Sequence, residues 1–144
     1  MATDYLSRTS ATGIRRTFTY SGWFKRSALS GNQMIFSTGV TNNELNLFFN
    51  GSPNTLNFYD YPTSLGMNFT TNQLFRDTSA WYHIVLSVDT TQATDTNRMK
   101  LYVNGEQVTS FSAITYASLD TDLQINVSGR PVNVGSYWTT SADF

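Results

Sequence analysis

The chain has 144 residues, of which 40% are hydrophobic, 15% aromatic and only 13% charged, with a net charge of −1 and no cysteine. That length suits one domain around a single core. The balance leaves no electrostatic footprint for nucleic acid or anionic lipid, excludes disulfides and thiolate metal sites, and offers no apolar run near the ~20 residues that span a bilayer.

With charge so scarce, the polar surface must be built from Thr, Ser and Asn. Thr and aromatics fit a pleated, half-buried surface, so the composition favours strands. The opening MATDYLSRTS has no apolar h-region, and no secretory signal is visible. Taken in chain order, short bursts of period-two alternation predict strands at Asp4–Ser7, Arg16–Lys25, Gln33–Ser37, Glu44–Phe49, Thr55–Tyr61, Leu74–Asp77, Trp81–Val88, Arg98–Val103, Glu106–Phe111, Leu123–Val127 and Val132–Tyr137. Trp81 to Val88 is apolar on both faces, which predicts a central strand covered on both sides. Asn104-Gly105 supplies the two positive-φ residues of a type I′ turn between alternating flanks, a hairpin signal. No stretch keeps the 3.6-residue period for three turns. The fold class is all-β, with Phe18, Trp23, Trp81, Ile84, Leu86, Leu101 and Val103 expected in the core.

Several of these segments resemble a family. Phe18-Thr-Tyr-Ser-Gly-Trp-Phe-Lys25 is similar to the early core strand of laminin-G-like domains, and Trp81-Tyr-His-Ile-Val-Leu-Ser-Val88 to their W-h-H-h-h strand. Lys100-Leu-Tyr-Val-Asn-Gly-Glu-Gln-Val108 resembles the hairpin that follows it, and Asn133-Val-Gly-Ser136 the strand near the domain's end. In this order and spacing they imply a two-sheet antiparallel β-sandwich, a jelly roll of the concanavalin A/laminin-G type, over residues 1–144. The Thr/Ser/Asn-rich texture also resembles laminin-G-type modules in structural proteins of marine bacteriophages. Such domains usually add an aromatic final strand beside the N-terminal one. This chain stops at Ala142-Asp143-Phe144, where that strand should begin, so the expectation is either that the sequence is a fragment of a longer chain that contains the strand, or that the edge near Asp4–Ser7 or a neighbouring strand recruits one from another chain.

Candidate sites follow from residue chemistry. Glycosidases of this fold need paired carboxylates on one strand face, roughly 5–9.5 Å apart. This chain has only two glutamates, Glu44 and Glu106, and no two acids at i, i+2 in a predicted core strand. No catalytic residue is assigned, and Glu44→Ala is expected to change binding and folding little. His83, inside the most apolar strand, is read as structural. Calcium is the candidate cofactor, through Asp89, Asp95 and Asn97 in one loop, although none is required; a solvated loop is the bland alternative. Asn57, Tyr59, Tyr61 and Trp138 are candidates for carbohydrate, since a sugar offers apolar ring faces together with hydroxyls. The basic pairs Arg15-Arg16 and Lys25-Arg26 are read as decoration of sheet ends. Asn68-Phe-Thr70 and Asn126-Val-Ser128 match the glycosylation pattern.

The expectation is therefore a non-enzymatic virion structural or adhesion module (tail fibre, decoration or filament), in a virion or extracellular setting, with or without glycan recognition. Its partners would be copies of itself, other virion proteins or cell-surface glycans, with no nucleic acid and no membrane insertion. A stand-alone lectin is the alternative, and a glucanase the weakest reading.

Overall fold

The computed structural model describes residues 5–137. Eleven strands run in chain order as β1 (Leu6–Thr9), β2 (Thr17–Lys25), β3 (Gln33–Val40), β4 (Asn43–Phe49), β5 (Thr55–Pro62), β6 (Met67–Leu74), β7 (Trp81–Asp89), β8 (Met99–Val103), β9 (Glu106–Val108), β10 (Phe111–Thr115) and β11 (Pro131–Val134). A single 3-10 turn, η1 (Asp95–Asn97), is the only helical element among the described residues. The strands form two antiparallel sheets, one ordered β1-β11-β3-β4-β5-β6-β10 and one ordered β2-β7-β8-β9. This is the expected two-sheet sandwich.

Alternation explains which side chains meet between the sheets. Leu45, Leu47 and Phe49 of β4, Leu56 and Phe58 of β5, and Met67 and Phe69 of β6 face Ile84, Leu86 and Val88 of β7 and Leu101 and Val103 of β8, all buried in one cluster. The hairpin at Asn104-Gly105 forms as expected, with φ of 51° and 85° at its two central residues and Val103 opposite Glu106.

The structure corrects several expectations. Trp23 and Trp81 are not in the core: they are 63% and 59% exposed. Ile84, Leu86 and Val88 occupy the inward register of β7, so Trp81, His83 and Val85 point outward, and no further sheet among the described residues covers that face. Phe18 is only half-buried. The predicted strand at Leu74–Asp77 is displaced, because β6 runs through Met67, Phe69 and Thr71, whose intervening Asn and Thr read as a turn. The run Glu106–Phe111 breaks at Thr109–Ser110, where the chain leaves the small sheet and Phe111 starts β10 in the large one. Leu123–Val127 is not a strand. Leu123 and Ile125 instead plug one end of the sandwich, with the Leu123 N–H donating to Arg15 O and the Gln124 N–H to Asp60 Oδ1.

The N-terminal strand β1 forms one edge of the large sheet: it pairs antiparallel with β11, Leu6 opposite Val134 and Thr9 opposite Pro131, and among the described residues its other edge has no partner strand. Asp4 and the final residues fall outside the described residues. The basic pairs do more than decorate. Arg15 donates to Leu123 O, Arg16 pairs with Asp120 and Asp122 at 3.3 and 2.9 Å, and Arg26 is buried. Its guanidinium donates to Gln33 Oε1, Asn54 Oδ1 and Phe75 O and lies 5.3 Å over the Phe49 ring. A buried cation needs such partners, and desolvation holds its pKa below the ordinary value.

Candidate functional site

The side chains of the large sheet that turn away from the core build one cleft. The register places Glu44 opposite Tyr61, Asn46 opposite Tyr59, and Phe48 opposite Asn57 across β4 and β5. Across β5 and β6 it continues Tyr59 to Asn68 and Asn57 to Thr70. Adjacent residues on one strand alternate faces, so these side chains share the outer face while Leu47, Phe58 and Phe69 face the core. The resulting cleft has a volume of about 480 Å³ and is edged by Asn42 and Asn50 from the hairpin turns and by Leu65 from the β5–β6 loop.

Hydrogen bonds set its wall. The Tyr59 hydroxyl donates to Glu44 Oε1 at 3.2 Å, and the Tyr137 hydroxyl to Glu44 Oε2 at 2.6 Å. Tyr137 arrives there because the chain after β11 folds over the outer face, where the Ser37 hydroxyl donates to Ser136 O at 2.8 Å. Burial pushes the Tyr59 phenol well above its ordinary value, so it stays a donor throughout the physiological range. The Phe48 and Tyr59 rings meet edge to face, centroids 6.0 Å apart at 81°.

The amides are the second component. Asn57 Nδ2 donates to Thr55 Oγ1 at 3.3 Å. Asn68 Oδ1 is buried with no hydrogen-bond partner, and Asn46 stands beside the Tyr59 hydroxyl, with which it interacts. Such an orphan costs roughly 1–3 kcal/mol when nothing satisfies it. A surface lined by aromatic ring faces and amide donors and acceptors can hold a molecule that is apolar on one side and hydroxylated on the other.

Of the residues expected to bind carbohydrate, Asn57, Tyr59 and Tyr61 all lie in this cleft. Trp138 lies outside the described residues. Sequence reasoning missed Phe48, Asn68, Thr70 and Tyr137, and it set Glu44 aside as a bystander, whereas the structure puts that carboxylate on the cleft wall. The alternation of Glu44, Asn46 and Phe48 was a visible signal, but only the pairing register joins it to β5.

The calcium candidates are engaged within their own loop. Asp89 Oδ1 accepts from the Thr91 N–H and hydroxyl at 3.0 and 2.6 Å, and Oδ2 accepts from Gln92 Nε2 at 2.6 Å. The Thr91 hydroxyl, then the Gln92 amide, hold the Asp89 carboxyl below its ordinary value. Asp95 Oδ1 accepts from the Thr96 N–H, and Asn97 sits in η1. The loop carbonyls a cation would use are taken by Arg98, whose guanidinium donates to Gln92 O, Ala93 O and Ala117 O at 2.8–2.9 Å. Among the described residues, no three His, Cys, Asp or Glu side chains are grouped to hold a metal.

His83 stacks on Trp23, centroids 4.8 Å apart at 23°, with its Nε2 3.1 Å from Ser21 Oγ. It lies on the outer face of the small sheet, away from the cleft.

A family model described as the concanavalin A-like lectin/glucanases superfamily matches residues 2–143. No curated protein matches the chain in sequence. Among solved structures, a heptameric SAP-like pentraxin from Limulus polyphemus superposes with a TM-score of 0.59 at 18% identity, over 91% of this chain. The chain covers 57% of that pentraxin. The CBM40 of a Ruminococcus gnavus IT-sialidase, bound to α2,3-sialyllactose, superposes with a TM-score of 0.61 at 13% identity, covering 97% of this chain and 82% of that one.

Proposed function

The chain belongs to the concanavalin A-like lectin/glucanases superfamily, and from that premise we propose that it is a glycan-binding module whose site is the outer-face cleft on β4, β5 and β6. The observation that carries the reading is the pairing of three aromatic rings, Phe48, Tyr59 and Tyr61, with the amides of Asn42, Asn50, Asn57 and Asn68 in one cleft of about 480 Å³. Sugar rings pack their C–H faces on aromatic rings, and their hydroxyls exchange hydrogen bonds with amides. The similar CBM40 holds a sialylated trisaccharide on the same fold, which supports the class of ligand. A glycan array followed by calorimetry on the 144-residue chain tests this. Binding to at least one oligosaccharide is expected, weakened more than tenfold by Tyr61→Ala, and an array with no signal overturns the reading.

We read the module as non-enzymatic. Glu44 is the one carboxylate among the described residues lining the cleft, and two phenols already orient it. Asp60, the nearest acid on β5, faces the opposite side of the sheet, where it accepts from Gln124. Acid–base hydrolysis of a glycoside needs two carboxylates flanking the bond. No turnover of laminarin is expected, and turnover abolished by Glu44→Ala or Asp60→Asn would contradict this.

The finer setting, a virion or extracellular adhesion module that associates with copies of itself, rests on two supports: the texture shared with phage structural modules, and the open edge of β1. That strand is exposed along its length, with Leu6 at 74%. No helix among the described residues is long and apolar enough to cross a membrane.

A further inference from the structure

We infer that the outer face of the small sheet is a second ligand face, separate from the cleft, on which Trp23 and Trp81 hold the ring of an acidic sugar and Lys25 its carboxylate. Alternation on β2 puts Ser21, Trp23 and Lys25 on this face, and the register sets Lys25 opposite Trp81 and Trp23 opposite His83. Trp23 and Trp81 are therefore diagonal neighbours across the pair, and they are 63% and 59% exposed. Two adjacent indoles so exposed, inside a polar rim, form the kind of apolar patch that marks a contact site.

Trp23 is also oriented in advance. Its ring stacks on His83 with centroids 4.8 Å apart at 23°. That separation matches the spacing of neighbouring strands, so both rings stand off the sheet instead of lying on it. His83 Nε2 is 3.1 Å from Ser21 Oγ, and the His83 backbone exchanges two hydrogen bonds with Asn104 at the hairpin turn. One indole face is thus covered by a fixed imidazole. Among the described residues β2 is an edge strand of the small sheet, so the other indole face looks past the sheet, open to the C–H face of a sugar ring.

The size of the face favours a sugar over a second chain. Strands of 9, 9, 5 and 3 residues give it a footprint of roughly 400 Å², about half the ~800 Å² per partner of a stable protein interface. Thr19, Ser21 and Ser87 share the outward register, and sugar hydroxyls satisfy such groups where a dry interface core would strand them. Charge selects the class of sugar. Lys25 is exposed beside both indoles, whereas Asp89 lies at the far end of β7, about 27 Å from Trp81 along the strand, and is held by Thr91 and Gln92. An ammonium next to a stacked ring is placed to meet a carboxylate on that ring.

In the test, α2,3-sialyllactose, trigalacturonate and lactose are titrated into the full chain and into Trp23→Ala, Lys25→Gln and the cleft variant Tyr61→Ala. The acidic sugars are expected to bind, and Trp23→Ala to weaken them about tenfold or more. Lys25→Gln should bring them close to lactose, and the binding that depends on Trp23 should persist in Tyr61→Ala. Because Trp23 is largely exposed, its variant keeps the fold. Acidic sugars that bind no more tightly than lactose, or whose affinity Trp23→Ala leaves unchanged, overturn the inference and leave the cleft reading standing. So does an association of chains that Trp23→Ala abolishes, which makes this face an interface between copies, and so does oligothymidylate held on Trp23 more tightly than either acidic sugar. Binding lost in Trp23→Ala but untouched by Tyr61→Ala for every sugar supports this face and removes the cleft.

Discussion

Asp60 shows how one buried side chain ties the cleft-bearing sheet to its end plug. It is fully buried; Oδ1 accepts from the Gln124 N–H at 2.7 Å, and Oδ2 has no partner. Burial pushes its carboxyl up to about 6, against the opposing pull of the Gln124 N–H, Arg15 and Arg130. The folded chain therefore keeps this proton at a pH where the unfolded chain, titrating near 3.8, has lost it. Stability from this group is present below that lower value and is lost as pH rises through 6, by an amount on the order of 2–3 kcal/mol. Asp60→Asn keeps the acceptor for Gln124 and removes the titration. Its urea midpoint should gain on that of the unmodified chain between pH 4 and 7, and a pH-independent difference would refute the assignment. At the same scale, Trp23→Ala should cost below ~1 kcal/mol, against ~3–5 kcal/mol for Phe58→Ala, because Trp23 is 63% exposed and Phe58 is 1% exposed. Chemical denaturation of both variants checks the contrast.

The loop from β7 to β8 is the element that most changes its reading between sequence and structure. Asp89, Asp95 and Asn97 have the composition of a calcium loop, yet Arg98 supplies the positive charge internally, spanning Gln92 O, Ala93 O and Ala117 O. Charged donors on backbone carbonyls are worth about 1.5–3 kcal/mol each before the cost of fixing the side chain. Arg98→Met should therefore loosen residues 90–97, seen as faster cleavage there in limited proteolysis. Adding calcium or a chelator should leave the Tm of the unmodified chain unchanged. A rise in Tm with calcium would restore the metal reading.

For the whole molecule, the two sheets present different outer faces. The large sheet carries the cleft, and the small sheet exposes Trp23, Trp81 and the stacked His83. The large sheet ends at β1, whose far edge is unpaired among the described residues. Its edge-blocking charge is limited to Arg8, since Leu6, Ser7 and Thr9 are neutral. Self-association through β1 is expected, with a light-scattering mass above the 16.2 kDa of one chain. Leu6→Lys should return it to the monomer. A stable monomer of the unmodified protein would dispose of the assembly reading.

Sequence alone determined the all-β class, most strand positions, the Asn104-Gly105 hairpin and three of the cleft residues, Asn57, Tyr59 and Tyr61. Those features depend on local alternation and turn chemistry, which a chain carries within a few residues. The tertiary structure decided which face of each strand is covered. Trp81 and Ile84 belong to one apolar run, and only the arrangement of the sheets makes one of them core and the other surface. It also decided that Glu44 and Phe48 stand beside Tyr59 and Asn57, because strand register is a relation between segments. Tyr137 reaches Glu44 only through the fold of the chain over the large sheet after β11. Pairings between distant segments depend on the collective burial of both sheets, and no local stretch of sequence encodes them.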